Sequence, residues 1–260
     1  MIIFEYLSNL SWFYGSTLMA ALFVAVTILG IFLVRKKFKP EHLRPHHDVA
    51  GFVYTNLGVL YAVLLGFTVV NAQQRFDKIV GAVETEASYI AALYRDAEVY
   101  PDKNRTDIRA GIKHYTQCLL DDEWECMVNE KKSKMTEDAL NALWKSYYEI
   151  DPSTPRLQTW YAESINKLNL LTEARLCRLL DSKGSLGPEM WSFLILGGIS
   201  MVAFIWFFGL DNHRAHILMA SVLAAAMGYL LFLIYSLDTT MSGSVSVSPD
   251  AINSVLKIFE

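Results

Sequence analysis

Three cysteines, Cys118, Cys126 and Cys177, are too few and too odd in number for a disulfide framework in a chain of 260 residues. They read either as buried free thiols or as one disulfide plus a free thiol, and the second arrangement requires an oxidising compartment. A basic excess is missing as well: the net charge is -4, which gives no reason to expect nucleic acid as a partner. Strand alternation is essentially absent along the chain, so the fold class is all-α. The sequence has no Gly-rich phosphate loop, no CxxC pair and no nucleophile elbow. No catalytic residue and no cofactor is therefore assigned, and the protein is not read as an enzyme. Residues 1–11 carry only Glu5 and no basic stretch, and the apolar run that follows is too long for a signal-peptide core, so the first apolar segment reads as retained.

The most informative absence is that of charge within long stretches. Residues 12–34, 49–72, 190–210 and 217–237 are runs of 23, 24, 21 and 21 residues without Asp, Glu, Lys or Arg. About 20 residues at a 1.5 Å rise suffice to cross the hydrocarbon of a bilayer. All 27 acids and all 23 Lys/Arg lie outside these runs, a segregation that a soluble chain has no reason to produce. The expectation is a membrane protein with four transmembrane helices in two hairpins and a helical extramembrane bundle inserted between helices 2 and 3. Its parts are a first hairpin over 1–72, the extramembrane domain over 73–187, a second hairpin over 188–237 and a tail over 238–260.

Along the chain, Trp12, Phe13 and Tyr14 suit a headgroup anchor at the start of span 1. At its other end stand Arg35, Lys36, Lys37 and Lys39, and Pro40 and Pro45 keep the connection to span 2 from being helical. Span 2 has no stop signal after Ala72. Ile79, Val83, Ile90, Leu93 and Ala97 continue the apolar period, so the spacing predicts one long helix over 50–99. A helix follows Asp102 with Ile108, Ile112, Tyr115, Leu119 and Met127 on one stripe, ending near Asn129 before the solvated run Lys131-Lys132-Ser133-Lys134. Thr136 is placed to N-cap a short helix holding Leu140, Leu143 and Tyr147, and Asp151-Pro152-Ser153-Thr154-Pro155 caps the next. That last helix, about 156–182, carries Leu157, Tyr161, Ile165, Leu168 and Leu179 before Lys183-Gly184-Ser185-Leu186-Gly187-Pro188 breaks it.

Span 2 is the least lipid-like of the four, with Thr55, Asn56, Gly58, Gly66, Thr68 and Asn71 inside it. Gly58, Ala62 and Gly66 form a small-residue stripe that lets another helix approach closely. A second face reads Asn56, Val59, Val63, Phe67, Asn71 and Gln74. That polar, apolar, polar order suits a hydrophobic constriction between two wetter vestibules, and it equally suits ordinary helix packing with hydrogen-bonded Asn. Glu86 stands on the apolar stripe of its helix, and Arg175 and Arg178 stand on or beside the stripe of a later one. An interhelical pair of Glu86 with Arg175 or Arg178 is expected, because a buried carboxylate must find a partner. His46-His47-Asp48 and Asp211, His213, His216 read as interfacial polar turns and no metal site is assigned, since neither shows an i, i+4 histidine pair with a positioned acid.

Tyr61-Ala62-Val63-Leu64-Leu65-Gly66-Phe67, Glu86-Ala87, Glu123-Trp124, Arg175-x-x-Arg178-Leu179, Leu237-Asp238, Gly243 and Val247-Ser248-Pro249 together resemble the bacterial bestrophin-like membrane protein family of unknown function, over about 50–256. Leu65-Gly66-Phe67 followed by Arg75-Phe76 is also similar to the pore helix of bestrophins, which are pentameric anion channels. The resemblance implies a homo-oligomer, a pentamer, with Val59, Val63 and Phe67 at the neck of the pore. The tail departs from the family pattern, with Thr240-Met241 where Pro-Phe is usual. No acidic cluster like the calcium clasp of animal bestrophins is visible, so calcium gating is not implied.

The leading functional reading is a homo-oligomeric ion channel for small inorganic ions, chloride among them, in a bacterial inner membrane and in contact with membrane lipid. Asn56, Asn71, Gln74 and Arg75 would line its vestibules. Uncharged spans argue for weak selectivity, and Arg75 at the mouth tilts it toward anions. The alternative is a membrane-anchored helical sensor or scaffold that conducts nothing. Orientation divides the arguments. Five Lys/Arg (35, 36, 37, 39, 44) in the short loop between spans 1 and 2 place that loop in the cytoplasm and the extramembrane domain outside. The charge rule is favoured here, whereas the bestrophin resemblance implies the reverse.

Overall fold

The computed structural model describes residues 11–38, 47–129, 131–183, 186–208, 210 and 212–259, with the side chain of His47 left out. Glu5, Lys39, Pro40, Arg44, Pro45, His46, Gly184, Ser185 and Asp211 lie outside the described residues. In chain order the helices are α1 (Trp12–Lys37), α2 (His47–Asp96), α3 (Asp102–Cys118), α4 (Trp124–Val128), α5 (Lys134–Tyr148), α6 (Pro155–Asp181), α7 (Pro188–Trp206), α8 (His213–Asp238) and α9 (Asp250–Ile258). A 3-10 turn, Ala97–Val99, follows α2, and a π-turn, Leu119–Glu123, joins α3 to α4. Every described element is helical, and four helices are long and apolar enough to cross a membrane. Two compact units result, Met1–Gln74 with Ser185–Ser246, and Arg75–Gly184 with Val247–Glu260. The tail is thus shared: Val247 onward belongs with the second unit.

In the first unit α1 packs chiefly on α8. Gly228 permits the contact, since a Cβ there would fall 2.8 Å from Ala20 Cα and 3.1 Å from Met19 O. α2 is held to α7 by Tyr61, whose ring lies where a Cβ on Gly197 would stand and whose hydroxyl donates to Leu194 O at 2.7 Å. Leu65, Trp191, Met201, Leu231 and Tyr235 complete this core. Asp238, closing α8, accepts from the Leu186 N–H just ahead of α7 at 2.7 Å and from Trp191 Nε1 in the first turn of α7 at 3.0 Å. α8 starts earlier than its charge-free run because Asn212 caps it, accepting from the Arg214 and Ala215 N–H groups.

In the second unit the stripes Ile79, Val83, Ile90, Leu93, Ala97 and Ile108, Ile112, Tyr115, Leu119, Met127 are buried. The spacing Tyr115, Leu119, Glu123, Met127 is a strict four, which drifts about 40° per step on an ordinary α-helix. The π-turn widens the helix there and keeps Glu123 on the buried side. Two expectations need correction. Ser133, not Thr136, caps α5: its Oγ accepts from Thr136 N at 2.9 Å, while Thr136 Oγ1 donates to Cys118 O at 3.0 Å. α6 turns inward along Ser164, Leu168, Leu171, Ala174 and Arg178 rather than along Leu157, Tyr161, Ile165 and Leu179, which are half-buried. The rotation follows the polar groups, since Ser164 Oγ accepts from the buried Tyr100 hydroxyl at 3.0 Å and Arg178 meets two carboxylates.

Those carboxylates are Glu86 and Glu123, both with no exposed surface. Arg178 donates through Nε to Glu86 Oε2 at 2.7 Å and through Nη2 to Glu123 Oε1 at 2.6 Å. Arg175 pairs with the other side of Glu123, and the Tyr115 hydroxyl donates to Glu86 Oε1 at 2.5 Å. Burial alone would lower the pKa of Arg178, but Glu86 and Glu123 more than offset it and hold the guanidinium above its ordinary range. Burial, reinforced by Glu86, pushes Tyr115 well up, so the phenol stays a donor.

In a double-mutant cycle read by thermal or denaturant unfolding, Glu86→Gln and Arg178→Met should couple by about 1.5 kcal/mol or more, and Glu86→Gln and Arg175→Met by less than about 0.5. Arg178→Met alone should cost about 3–5 kcal/mol, as it strands two buried carboxylates. Equal coupling of Glu86 to both arginines would contradict this geometry. In the first unit, Gly228→Val should lower stability by about 1–3 kcal/mol through forced separation of α1 and α8. Gly51→Ala, with nothing within 4 Å, should not destabilise, and a Gly228→Val protein that melts like wild type would rule out the close contact.

Candidate functional site: the open face of α2

The apolar part of α2 has one face that the chain covers and one that it does not. Tyr61, Leu65, Thr68 and Ala72 are buried in the first unit. About half a turn away, Asn56, Val59, Val63, Phe67, Asn71 and Gln74 are all exposed, Phe67 to 68%. Arg75, the first residue of the second unit, is half-buried. α2 is the least covered of the four candidate spans, with 17% of its apolar stretch buried against 28–39% in the others. Gly58 meets Met201 Cε at 3.3 Å, but Gly66 has nothing within 4 Å, so among the described residues only one end of the small-residue stripe is occupied.

The polar side chains of this helix partly satisfy themselves. Thr55 donates to Gly51 O, Asn56 Nδ2 to Phe52 O at 2.8 Å, and Thr68 to Leu64 O. Such back-bonding ties up one donor per side chain. It leaves the Asn56 and Asn71 amides exposed within the apolar stretch of a candidate span, and polar groups inside such spans normally face protein or water. Apolar layers at Val59, Val63 and Phe67 stand between them. The whole face is therefore a polar, apolar, polar array that the other described residues leave uncovered.

The other candidates have local uses. Glu86 and Arg178 are brought together and Arg175 is turned to Glu123, which the spacing of apolar stripes alone did not single out. His213 packs edge-on against Phe32, and His216 lies between Arg35 and Ile205 O. Among the described residues no three His, Cys, Asp or Glu gather as metal ligands would. All three cysteines are free; Cys118 is buried, Cys126 half-buried and Cys177 exposed. Sequence patterning also missed Tyr61 as the anchor of α2 and Asp238 as the acceptor ahead of α7. Apart from their place in the motifs that carry the resemblance, their signals were a hydroxyl inside an apolar run and an acid directly after one.

A family model for the Bestrophin-like domain matches residues 21–252. No curated protein matches the chain. Among solved structures, the fold is similar to the crystal structure of a membrane protein variant, with a TM-score of 0.70 at 12% identity over 92% of this chain and 97% of that one. It is similar too to two variants of a bacterial bestrophin homologue from Klebsiella pneumoniae, both at 13% identity. Their TM-scores are 0.69 and 0.67, over 92% and 94% of this chain and 97% and 98% of theirs. The matched region runs from inside α1 to inside α9, and the chain is a membrane protein that belongs to the Bestrophin-like domain family.

Proposed function

We propose that the protein is a homo-oligomeric ion channel of the bestrophin type, a pentamer, in which the open face of α2 lines the conduction path. One observation carries this reading: α2, alone among the spans, exposes a face that is polar at Asn56, apolar at Val59, Val63 and Phe67, and polar again at Asn71 and Gln74. Facing lipid, the amides would be stranded in hydrocarbon. Facing the same helix of neighbouring copies around a wet axis, they are hydrated and the apolar layers close the path. The layers are about 6 Å apart by helical rise, so the neck is about 12 Å long and gates by dewetting. Its lack of fixed charge makes selectivity weak, and Arg75 toward the mouth favours chloride and other small anions.

The membrane is the bacterial inner membrane, and we place the second unit in its cytoplasm, as the bestrophin resemblance implies and against the count of loop charges. An exposed Cys177 and a half-buried Cys126, both free in the second unit, support a reducing compartment. The rival reading, a scaffold that conducts nothing, draws support from an open groove of about 440 Å³ between α2 and α6, lined by Lys78, Ala82, Tyr89, Leu170, Cys177 and Asp181.

Phe67 is the largest and most exposed neck residue, so Phe67→Ala should raise single-channel conductance or open probability severalfold in reconstituted bilayers. Val63→Ala should do so less, and Leu64→Ala, on a neighbouring half-buried face, should leave conduction unchanged. If wild type and Phe67→Ala are both silent in verified oligomers across pH, salt and voltage, the channel reading fails and the scaffold reading stands. For orientation, a cytoplasmic reporter fused after Glu260 should be active and a periplasmic one inactive; the opposite pattern would restore the charge rule.

A further inference from the structure

At the end of the first unit where α1 finishes and α8 begins, Arg35 is held in an unusual way. Its Nη2 donates to Leu210 O at 2.8 Å and approaches His216 Nδ1 at 3.2 Å. Because a guanidinium can only donate, Nδ1 is the acceptor and the imidazole proton sits on Nε2, which donates to Ile205 O at 2.9 Å. The guanidinium is thereby fixed between the end of α7 and the start of α8 by two neutral acceptors. Among the described residues its Nε and Nη1 donors meet no acceptor and its charge meets no carboxylate. α1 contains no acid at all, α8 has none before Asp238 at its far end, and Asp211, in the connection ahead of α8, lies outside the described residues. A planar fork of donors, half-buried and oriented, matches the oxygens of a phosphate.

The surroundings continue the pattern. Lys36, Lys37 and Arg214 are exposed, and the Lys37 ammonium lies 5.8 Å from the centroid of the Phe38 ring. Phe38 leans on Phe207 at 6.4 Å, and Phe32, Leu33 and Phe207 expose about half of their surface. Cations beside exposed apolar rings at the end of a membrane span suit a molecule with an anionic head and an apolar tail, and free phosphate would leave the rings without a partner.

We propose that this end of the membrane unit binds the phosphate of an anionic phospholipid, held by the open donors of Arg35 and by the charge of Lys36, Lys37 and Arg214. The site is independent of conduction and of which side of the membrane it faces.

The test uses the full chain purified in detergent, with phosphatidylglycerol, phosphatidylcholine and inorganic phosphate as separate additions, read by native mass spectrometry and thermal unfolding. Phosphatidylglycerol should appear as a retained adduct and raise Tm, while phosphatidylcholine and phosphate should not. The triple variant Lys36→Gln, Lys37→Gln, Arg214→Gln should bind phosphatidylglycerol about a hundredfold more weakly, at roughly fivefold per cation. Arg35→Lys keeps the charge and loses the fork, and should weaken binding about tenfold while the triple variant's fold stays that of wild type. Stabilisation by phosphate alone would identify a free-anion site and overturn the lipid. Equal binding of the two lipids, or wild-type binding by both variants, would overturn the site.

Discussion

A carboxylate shut away from water must be met by a cation, and in the second unit that requirement organises everything else. Glu86 sits on the same stripe of α2 as Ile79, Val83, Ile90 and Leu93, so α2 cannot bury its apolar side without burying a charge. Arg178 answers it from α6 and is shared with Glu123, which Arg175 then balances. Two acids and two guanidiniums sum to zero charge, and Tyr115 adds a neutral donor to the Glu86 Oε1 that Arg178 Nη2 also approaches. The π-turn belongs to the same solution, because without the extra width Glu123 would drift off the buried side. Hydrophobic burial alone would let α6 rotate or slide; paired charges allow one register.

The first unit faces the opposite problem. There the apolar matter is abundant and the question is which side of each helix stays uncovered. α1 and α8 spend their small residues on each other at Ala20 and Gly228, and α7 spends Gly197 on the Tyr61 ring. α2 keeps Gly66 and a line of amides and apolar side chains open. The anchoring of Tyr61 to Leu194 O fixes the rotation of α2, and with it which residues point away. The proposed neck therefore depends on a hydrogen bond made on the other side of the same helix.

Much of this was legible in the chain. Four charge-free runs found the four helices long and apolar enough to cross a membrane, and the continuing period after Ala72 found the long helix, because burial leaves a periodic trace. The polar, apolar, polar face of α2 was legible for the same reason. Caps were less so: Ser133 lies inside a basic run that looks solvated, and only its bond to Thr136 N reveals the helix start. The inward face of α6 leaves a weak trace because Ser164, Ala174 and Arg178 build much of it, and these do not form an apolar stripe. Glu123 escaped as a partner because a π-turn shifts the phase and no composition rule announces one.

Charge is where sequence counting and the folded chain diverge most. The loop cations between α1 and α2 look like a simple topological signal, yet Arg35 is spent on Leu210 O and His216 and ties three helix ends together. Arg175 and Arg178, which a count near the other end would include, are withdrawn into ion pairs and present little or no charge at the surface. A tally of Lys and Arg thus mixes residues that meet the membrane with residues that hold the fold. Once the ion-paired arginines are set aside, Lys36, Lys37 and Arg214 remain as surface charge beside Phe38 and Phe207, with the open donors of the half-buried Arg35 next to them. Exposed cations beside apolar rings are recognition chemistry for a lipid headgroup whichever leaflet supplies it. The basic end is then explained by what its surface cations and rings can bind, without requiring it to lie on one side of the membrane.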